Sequence, residues 1–251
     1  GDMAGKGGKD SGVGMAEQIR PGVGPEVAAD VERKRSDNGI VCFAGTKLEG
    51  IEGTERVEKV LTSRRGMKAD AVVLALGIKP NTAFLSESGL EMAPNGTLKV
   101  DGSMRTNDPD IYAAGDCVTV ANRITGAPAW SPMGSSANME GRVAAKNLAG
   151  GHERHQGVLG TGVCTLPGPT VGRTGLTEEQ AKQAGYHPAT IVCVVDDKAH
   201  YYAGSAPFVV KLLADRATHT QLGIPVLGEG AAGQMGDIAV PGPAGGMTRE
   251  E

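Results

Sequence analysis

The sequence predicts an α/β chain whose first part holds segments of layered sheet with helices, followed after residue 158 by a separate α+β unit. Three observations carry this reading. Residues 69–82 form a continuous apolar run closed by Gly77 and Pro80, as expected of a strand buried on both faces of a layered sheet. Residues 132–149 have a helical pattern with Gly134 or Ser135 at the start and Gly150 and Gly151 past the end. Three alternating runs, 189–195, 207–214 and 221–227, give a small antiparallel sheet beside a helix with its own start signal.

Taken in order, residues 1–14 are rich in glycine and lysine but follow no apolar strand. Gly8-Lys9 is followed by Asp10 where a phosphate loop needs Ser or Thr, and Met3 stands where its first glycine belongs, so this stretch reads as a flexible or replaced leader. A helix follows over 25–35, stopped near Asn38-Gly39, and short strands follow at 40–44 and 56–62. Residues 98–106 read as an extended approach to a further apolar strand at 111–114. Asn95-Gly96 matches a glycosylation acceptor with Thr97, but the pair favours the positive φ angles of a tight turn and reads as a hairpin. In the last region Thr177 and Gln180 form a capping box, Leu176 can staple onto Ala181, and Gly185 supplies the stop. A final helix, with Ala231, Met235, Ile238 and Ala239 on one face, is weakened by Gly233 and Gly236, each worth roughly 1 kcal/mol, and is broken at Pro241.

Composition excludes several classes. The chain has 251 residues, a net charge of -4 and no basic patch interleaved with aromatics, so it has no nucleic-acid footprint. No apolar stretch approaches the roughly 20 residues of a membrane span and no signal peptide opens the chain, so the expected compartment is the cytoplasm. Its 39 glycines are about twice the usual share of about 7%, which describes a turn-rich protein of small residues. Cys42, Cys117, Cys164 and Cys193 are far apart with no C-x-x-C, which suggests buried thiols and neither a disulfide framework nor a metal site. His152 and His155 are one residue short of the H-E-x-x-H spacing and lie in a Gly-flanked connector. Gly228-Glu-Gly-Ala-Ala-Gly233 has the G-x-G-x-x-G spacing, but no returning strand or acidic residue about 20 positions on follows it, so it reads as a turn.

The most informative segment is Thr106-Asn-Asp-Pro-Asp-Ile-Tyr-Ala-Ala-Gly-Asp-Cys117. Gly115 lets the backbone come close to a ligand, and Asp116 offers acceptor oxygens suited to a ribityl or ribose hydroxyl. The start of the helix after Pro132 adds free N–H groups and partial positive charge, which suits the N1 and O2 edge of a reduced isoalloxazine. The segment therefore points to a flavin; the alternative is a plain strand-to-loop corner.

These blocks, in this order and spacing, resemble the flavoprotein pyridine nucleotide-disulfide oxidoreductases, most closely the coenzyme A-disulfide reductase and NADH oxidase branch. Residues 174–186, 197–204 and 208–215 resemble the dimerisation domain of that branch, and the resemblance runs from roughly Met15 to Glu251. It implies a partial two-dinucleotide-binding-domain flavoprotein fold followed by an α+β dimerisation domain. Residues 1–14 would be a non-matching leader, 15–78 the C-terminal half of an NAD(P)-binding domain, 79–150 the C-terminal segment of an FAD-binding domain, and 151–251 a dimerisation domain truncated at its C-terminus. It implies FAD and NAD(P)H as cofactors, a homodimer formed through 159–251, and electron flow from NAD(P)H through flavin to a small-molecule disulfide of the coenzyme A type or to oxygen. Gly115, Asp116, Ser135, Ser136, Ala137 and Gly77 would contact the cofactor. Tyr201 and Tyr202 match a tyrosine pair that in coenzyme A-disulfide reductases lies near the partner's redox cysteine; otherwise they are an interface strand end. Cys117 matches a position that is not the redox cysteine in this family and is assigned to packing.

The chain departs from the family pattern in lacking the N-terminal FAD motif, the redox cysteine and the NAD-binding glycine motif in their places. A truncated or divergent member is expected, inactive by itself, because the FAD pyrophosphate would lack its helix-start anion site. The alternative function is a non-catalytic fragment or remnant that acts only as a dimerising module.

Overall fold

The computed structural model describes residues 7–17, 25–166, 169–229, 237 and 240–248. The chain divides into two compact units, Gly1–Ala75 with Thr161–Glu251, and Leu76–Gly160.

The first unit opens with a parallel pair, β1 (Ser11–Val13) and β2 (Val41–Phe43), with α1 (Pro25–Asp37) between them in sequence. The segment read as a leader therefore contributes a strand at 11–13, because Ser11, Gly12 and Val13 find a partner ladder in Val41, Cys42 and Phe43 that local sequence cannot reveal. α1 stops as its sequence requires. The Asn38 side chain donates to the Lys34 carbonyl at 2.8 Å, and Gly39 takes a φ of +76° that favours glycine. Next comes an antiparallel meander of β3 (Leu48–Glu52), β4 (Lys59–Thr62) and β5 (Gly66–Lys68).

The remainder of this unit is a five-stranded antiparallel sheet built from β9 (Gly162–Thr165), β10 (Thr170–Gly175), β11 (Pro188–Asp196), β12 (Pro207–Asp215) and β13 (Gln221–Gly228), in the order β11-β12-β13-β10-β9. β11, β12 and β13 match the three expected strands; β9 and β10 extend the sheet beyond them. Phe208, Ile224 and Val226 form one buried cluster, while Ala28 and Val31 of α1 pack with Val171 and Leu227. Gly228, the first glycine of the G-x-G-x-x-G, pairs with Phe208, and a Cβ there would run into the Phe208 ring. Its smallness serves ring packing in an antiparallel sheet, so it is no phosphate loop opening from a parallel strand. Most of the later motif, with the final helix expected over 231–239, lies outside the described residues. Pro241 opens α4 (Pro241–Gly245), a short turn of helix suited to a proline at its first position.

α3 (Glu178–Gln183) has the capping box that its sequence specifies. The Gln180 amide donates to Thr177 Oγ1 at 3.1 Å and the Thr177 amide to Gln180 Oε1 at 2.9 Å. At its end the Tyr186 amide reaches the Ala181 carbonyl at 3.0 Å, with Gly185 at a φ of +87°. Asp215 closes the β12–β13 turn by accepting from the His187 amide, the Thr218 amide and the Thr218 hydroxyl. The His187 N–H first, then the Thr218 donors, hold its carboxyl below the usual carboxylate range.

The second unit is small. β6 (Leu98–Lys99) runs parallel to β7 (Val118–Ala121), which pairs antiparallel with β8 (Pro128–Ala129). Leu98, Met104, Val118, Val120 and Val158 join Ala144 of α2 (Gly134–Leu148) in one core. Asn95-Gly96 makes the expected turn, with Gly96 at a φ of +85° and the Asn95 side chain accepting from the Thr97 amide and hydroxyl.

Three expectations fail in this unit or at its border. Residues 71–80 are not a buried strand. They pair with no strand among the described residues, and Val73 and Leu76 are 84% and 80% exposed. An apolar run becomes a buried strand only with ladders beside it and layers on both faces. Residues 111–114 keep one bridge, Tyr112 with Arg105, and no ladder. Residues 98–106 are extended only at their start, because Asp101 accepts from the Ser103 and Arg105 amides and folds the chain into a tight turn with Met104 at a φ of +68°. No helix among the described residues is long and apolar enough to cross a membrane.

Thr177→Ala removes one cap acceptor and is expected to cost about 1 kcal/mol. Phe208→Ala, which empties a fully buried ring site, is expected to cost about 3–5 kcal/mol. Urea denaturation of the two variants checks that order.

Candidate functional site

The site is built at the corner where residues 114–117 meet the first turns of α2. Gly115 has a φ of +92°, a region open to glycine and costly to other residues. A Cβ at this position would stand 3.6 Å from the Ala137 methyl, so the corner lies directly against α2. The Gly115 amide donates to Glu140 Oε2 at 2.7 Å, and Glu140 is only 2% exposed. From the other side, Trp130 Nε1 donates to the Asp116 carbonyl at 2.9 Å. Asp116 is exposed, and its carboxylate makes no hydrogen bond or ion pair among the described residues. The backbone of Asp116 is thus held while its acceptor oxygens stay available.

The start of α2 is correspondingly open. Met133 occupies the cap position without a side-chain cap hydrogen bond, and the first turn has no acidic residue. Ser135 is exposed, whereas Ser136 is buried and shares a 2.8 Å hydrogen bond with Ser131 Oγ. Uncapped N–H groups with their partial positive charge therefore open the same helix against which the Gly115–Asp116 corner packs, an arrangement suited to a ligand carrying an anionic edge and hydroxyl donors. Those are the features of an isoalloxazine with its ribityl chain, so the residues fit a flavin.

Electrostatics inside the corner follow from burial. Burial pushes the Glu140 carboxyl above its usual range; the Gly115 N–H opposes the shift and the Asp116 carboxylate adds to it. Burial likewise raises the Cys117 thiol, whose Sγ contacts the Ala114 carbonyl at 3.4 Å, consistent with a packing role and a protonated thiol.

Five of the six residues expected to contact a cofactor, Gly115, Asp116, Ser135, Ser136 and Ala137, come together here. Gly77 does not join them among the described contacts: it is exposed, and a Cβ on it would meet nothing within 4 Å. Its φ of +96° still favours glycine. Tyr201 and Tyr202 lie in the other unit, in the turn between β11 and β12, with ring centroids 5.1 Å apart and both rings exposed. His155, read as a connector residue, is in one; its Nδ1 accepts from the Gly157 amide, and no group of three metal-ligating side chains occurs among the described residues.

Sequence reasoning missed Glu140 and Trp130. A signal for Glu140 exists: Ser136, Glu140 and Ala144 are the buried positions of α2, at intervals of four, so an acid falls on the inward stripe. Trp130 carried no such signal, since its partner is a backbone carbonyl.

Residues 7–135 match the family model for pyridine nucleotide-disulphide oxidoreductases, and residues 162–248 match the dimerisation domain of the same family. An NAD(P)H sulfur oxidoreductase (CoA-dependent) of Pyrococcus furiosus is 32% identical over 95% of this chain and 54% of its own length. An NADH oxidase of Methanocaldococcus jannaschii is 32% identical over 80% of this chain and 45% of its own length. The solved NAD-dependent persulfide reductase of A. fulgidus superposes with a TM-score of 0.91 at 30% identity, over 96% of this chain and 45% of that one. The chain spans about half the length of these relatives.

Two substitutions test the corner. Gly115→Ala meets only an ordinary contact at Ala137, so its expected cost of about 1–2 kcal/mol is conformational and would appear in a thermal melt. Glu140→Gln keeps an acceptor for Gly115 without a charge. Because the folded-state pKa of Glu140 is raised, the wild type is disfavoured once pH rises through that value. The variant should melt higher at neutral pH, and the difference should vanish below about pH 4, where the carboxyl is protonated both folded and unfolded. On the match of more than half its residues, and on a corner that fits the cofactor, the chain belongs to the pyridine nucleotide-disulphide oxidoreductase family.

Proposed function

We propose that this chain supplies the flavin-contact corner and the dimerisation module of an FAD-dependent oxidoreductase that takes electrons from NAD(P)H. The acceptor is a sulfur compound of the coenzyme A-linked disulfide or persulfide class, or oxygen. The observation that carries the reading is the corner itself: Gly115 pinned to Glu140, and Asp116 held by its backbone with its carboxylate exposed, beside the uncapped start of α2. The relatives named above as sulfur, persulfide and NADH-oxidising enzymes favour the same donor and acceptor classes.

FAD, when bound, supplies the two-electron chemistry. Asp116 would accept hydrogen bonds from the ribityl hydroxyls, and the N–H groups at Gly134, Ser135 and Ser136 would face the pyrimidine edge and favour its negative charge. Ala137, held against Gly115, leaves the backbone close to the ligand and helps exclude water. Residues 15–78 would be the C-terminal half of an NAD(P)-binding domain; α1 and β2 lie within them, and the parallel pairing of β2 with β1 at 11–13, just before them, supports that reading. Gly77 is assigned to the approach from that domain. Tyr201 and Tyr202 are assigned to the partner-facing side of the dimerisation domain, where their exposed, adjacent rings suit an interface.

A second reading, a module that dimerises without catalysis, has its own support. β11 is an edge strand with Ile191, Val192, Val194 and Val195 all at least 45% exposed, an apolar edge that invites association. Both readings share a homodimer built through residues 159–251, so Val194→Lys is expected to shift the protein toward monomer in analytical ultracentrifugation.

The visible absorption of the purified chain after incubation with FAD and desalting separates the readings. A retained flavin band that NADH or NADPH bleaches supports the oxidoreductase, and it should be lost in Asp116→Ala. A colourless dimer supports the module and overturns the flavin assignment for this chain.

A further inference from the structure

The Gly115–Asp116 corner is held from two directions by side chains that no part of the reading above uses for ligand contact. Glu140 sits two turns into α2 on its buried stripe, and its Oε2 takes the Gly115 amide at 2.7 Å. Trp130, the only tryptophan of the chain, holds the carbonyl of the very next residue at 2.9 Å. Between these two hydrogen bonds lies the Gly115–Asp116 peptide segment, and its orientation decides where the Asp116 carboxylate points.

A buried carboxyl is costly where nothing requires it. An acid on an inward helical stripe among Ser136 and Ala144 is therefore a departure from packing alone, and its geometric partner is one specific amide. That amide has no ladder partner, because residues 111–115 form no strand. Without Glu140 it would be left unsatisfied against α2, and the positive φ of Gly115 would lose the contact that selects it.

We propose that Glu140 is the positioning residue of this site: its buried carboxyl fixes the Gly115 amide and thereby aims the Asp116 carboxylate, with the Trp130 indole fixing the other end of the same segment. The inference deepens the flavin reading and rests on it for its function, but its geometry is tested without any flavin. Glu140 touches no ligand; it acts through Gly115. Glu140→Gln keeps an acceptor oxygen in place and leaves the corner set, whereas Glu140→Ala removes the acceptor and releases it.

The Trp130 indole provides the readout, because its N–H bond reports on the Asp116 carbonyl. In the apo protein, Glu140→Ala is expected to shift the tryptophan emission and raise its quenching by acrylamide several-fold, while Glu140→Gln matches the wild type in both. Emission and quenching unchanged in Glu140→Ala, or Glu140→Gln behaving as the Ala variant does, overturn the proposal. Where Glu140→Ala does not fold, amide exchange in the wild-type protein decides: the Gly115 amide must be protected well above the exposed loop amides, and exchange at the loop rate overturns it.

A flavin arm then separates this inference from the reading it deepens. If the wild type binds FAD, Glu140→Ala should weaken binding roughly tenfold, about what one net hydrogen bond is worth, with Glu140→Gln restoring it. Undiminished affinity in the Ala variant overturns the positioning role. A wild type that binds no flavin overturns the functional reading, while the fluorescence pattern alone then upholds or overturns the geometry.

Discussion

One hydrogen bond, from the Gly115 amide to a carboxyl buried in α2, sets the geometry on which the candidate site depends. It connects a backbone corner that belongs to no ladder with α2, which joins the core of its unit through Ala144. Several features follow from it. Residue 115 must reach a positive φ against the Ala137 methyl, so it is a glycine. The next residue is presented outward with its carbonyl tied to Trp130 and its carboxylate exposed. The start of α2 has no side-chain cap, which leaves its N–H groups for whatever that carboxylate helps to hold. Rigid support beneath an unsatisfied polar surface is what binding requires, since the entropy of ordering is met on folding and not on association.

Much of this was legible in the chain. Thr177, Gln180 and Gly185 delimit α3 by local chemistry, and the alternating runs of β11, β12 and β13 need only a period of two. The Ala-Gly-Asp corner and the helix after Pro132 were readable for the same reason: each is specified by residues close in sequence. What sequence could not show depends on partners far along the chain. The strand at 11–13 exists because residues 41–43 lie beside it. Glu140 matters because residue 115 stands 25 positions before it. The run at 71–80 fails in the opposite direction, since its composition demands a buried strand that no ladder among the described residues provides.

The two compact units differ in how far each satisfies itself. The five-stranded sheet packs one buried cluster around Phe208, Ile224 and Val226 and another where Val171 and Leu227 meet α1, and it keeps its buried Lys211 beside Glu178 at 3.5 Å. Its β11 edge stays apolar and exposed, in keeping with a family whose matching segment is a dimerisation domain. The unit 76–160 packs six buried residues, Met104 and Val118 among them, while Leu76 and Ile78 at its start remain open to solvent. Apolar surface of this kind is what association would cover.

Residues 115–137 are proposed as a preorganised contact for the isoalloxazine and ribityl groups. The most direct measurement is a titration of Trp130 emission with riboflavin, which carries those groups and no pyrophosphate. Saturable quenching is expected in the wild type, weakened markedly by Asp116→Ala. Quenching that never saturates, or that is the same with and without the Asp116 carboxylate, would contradict it.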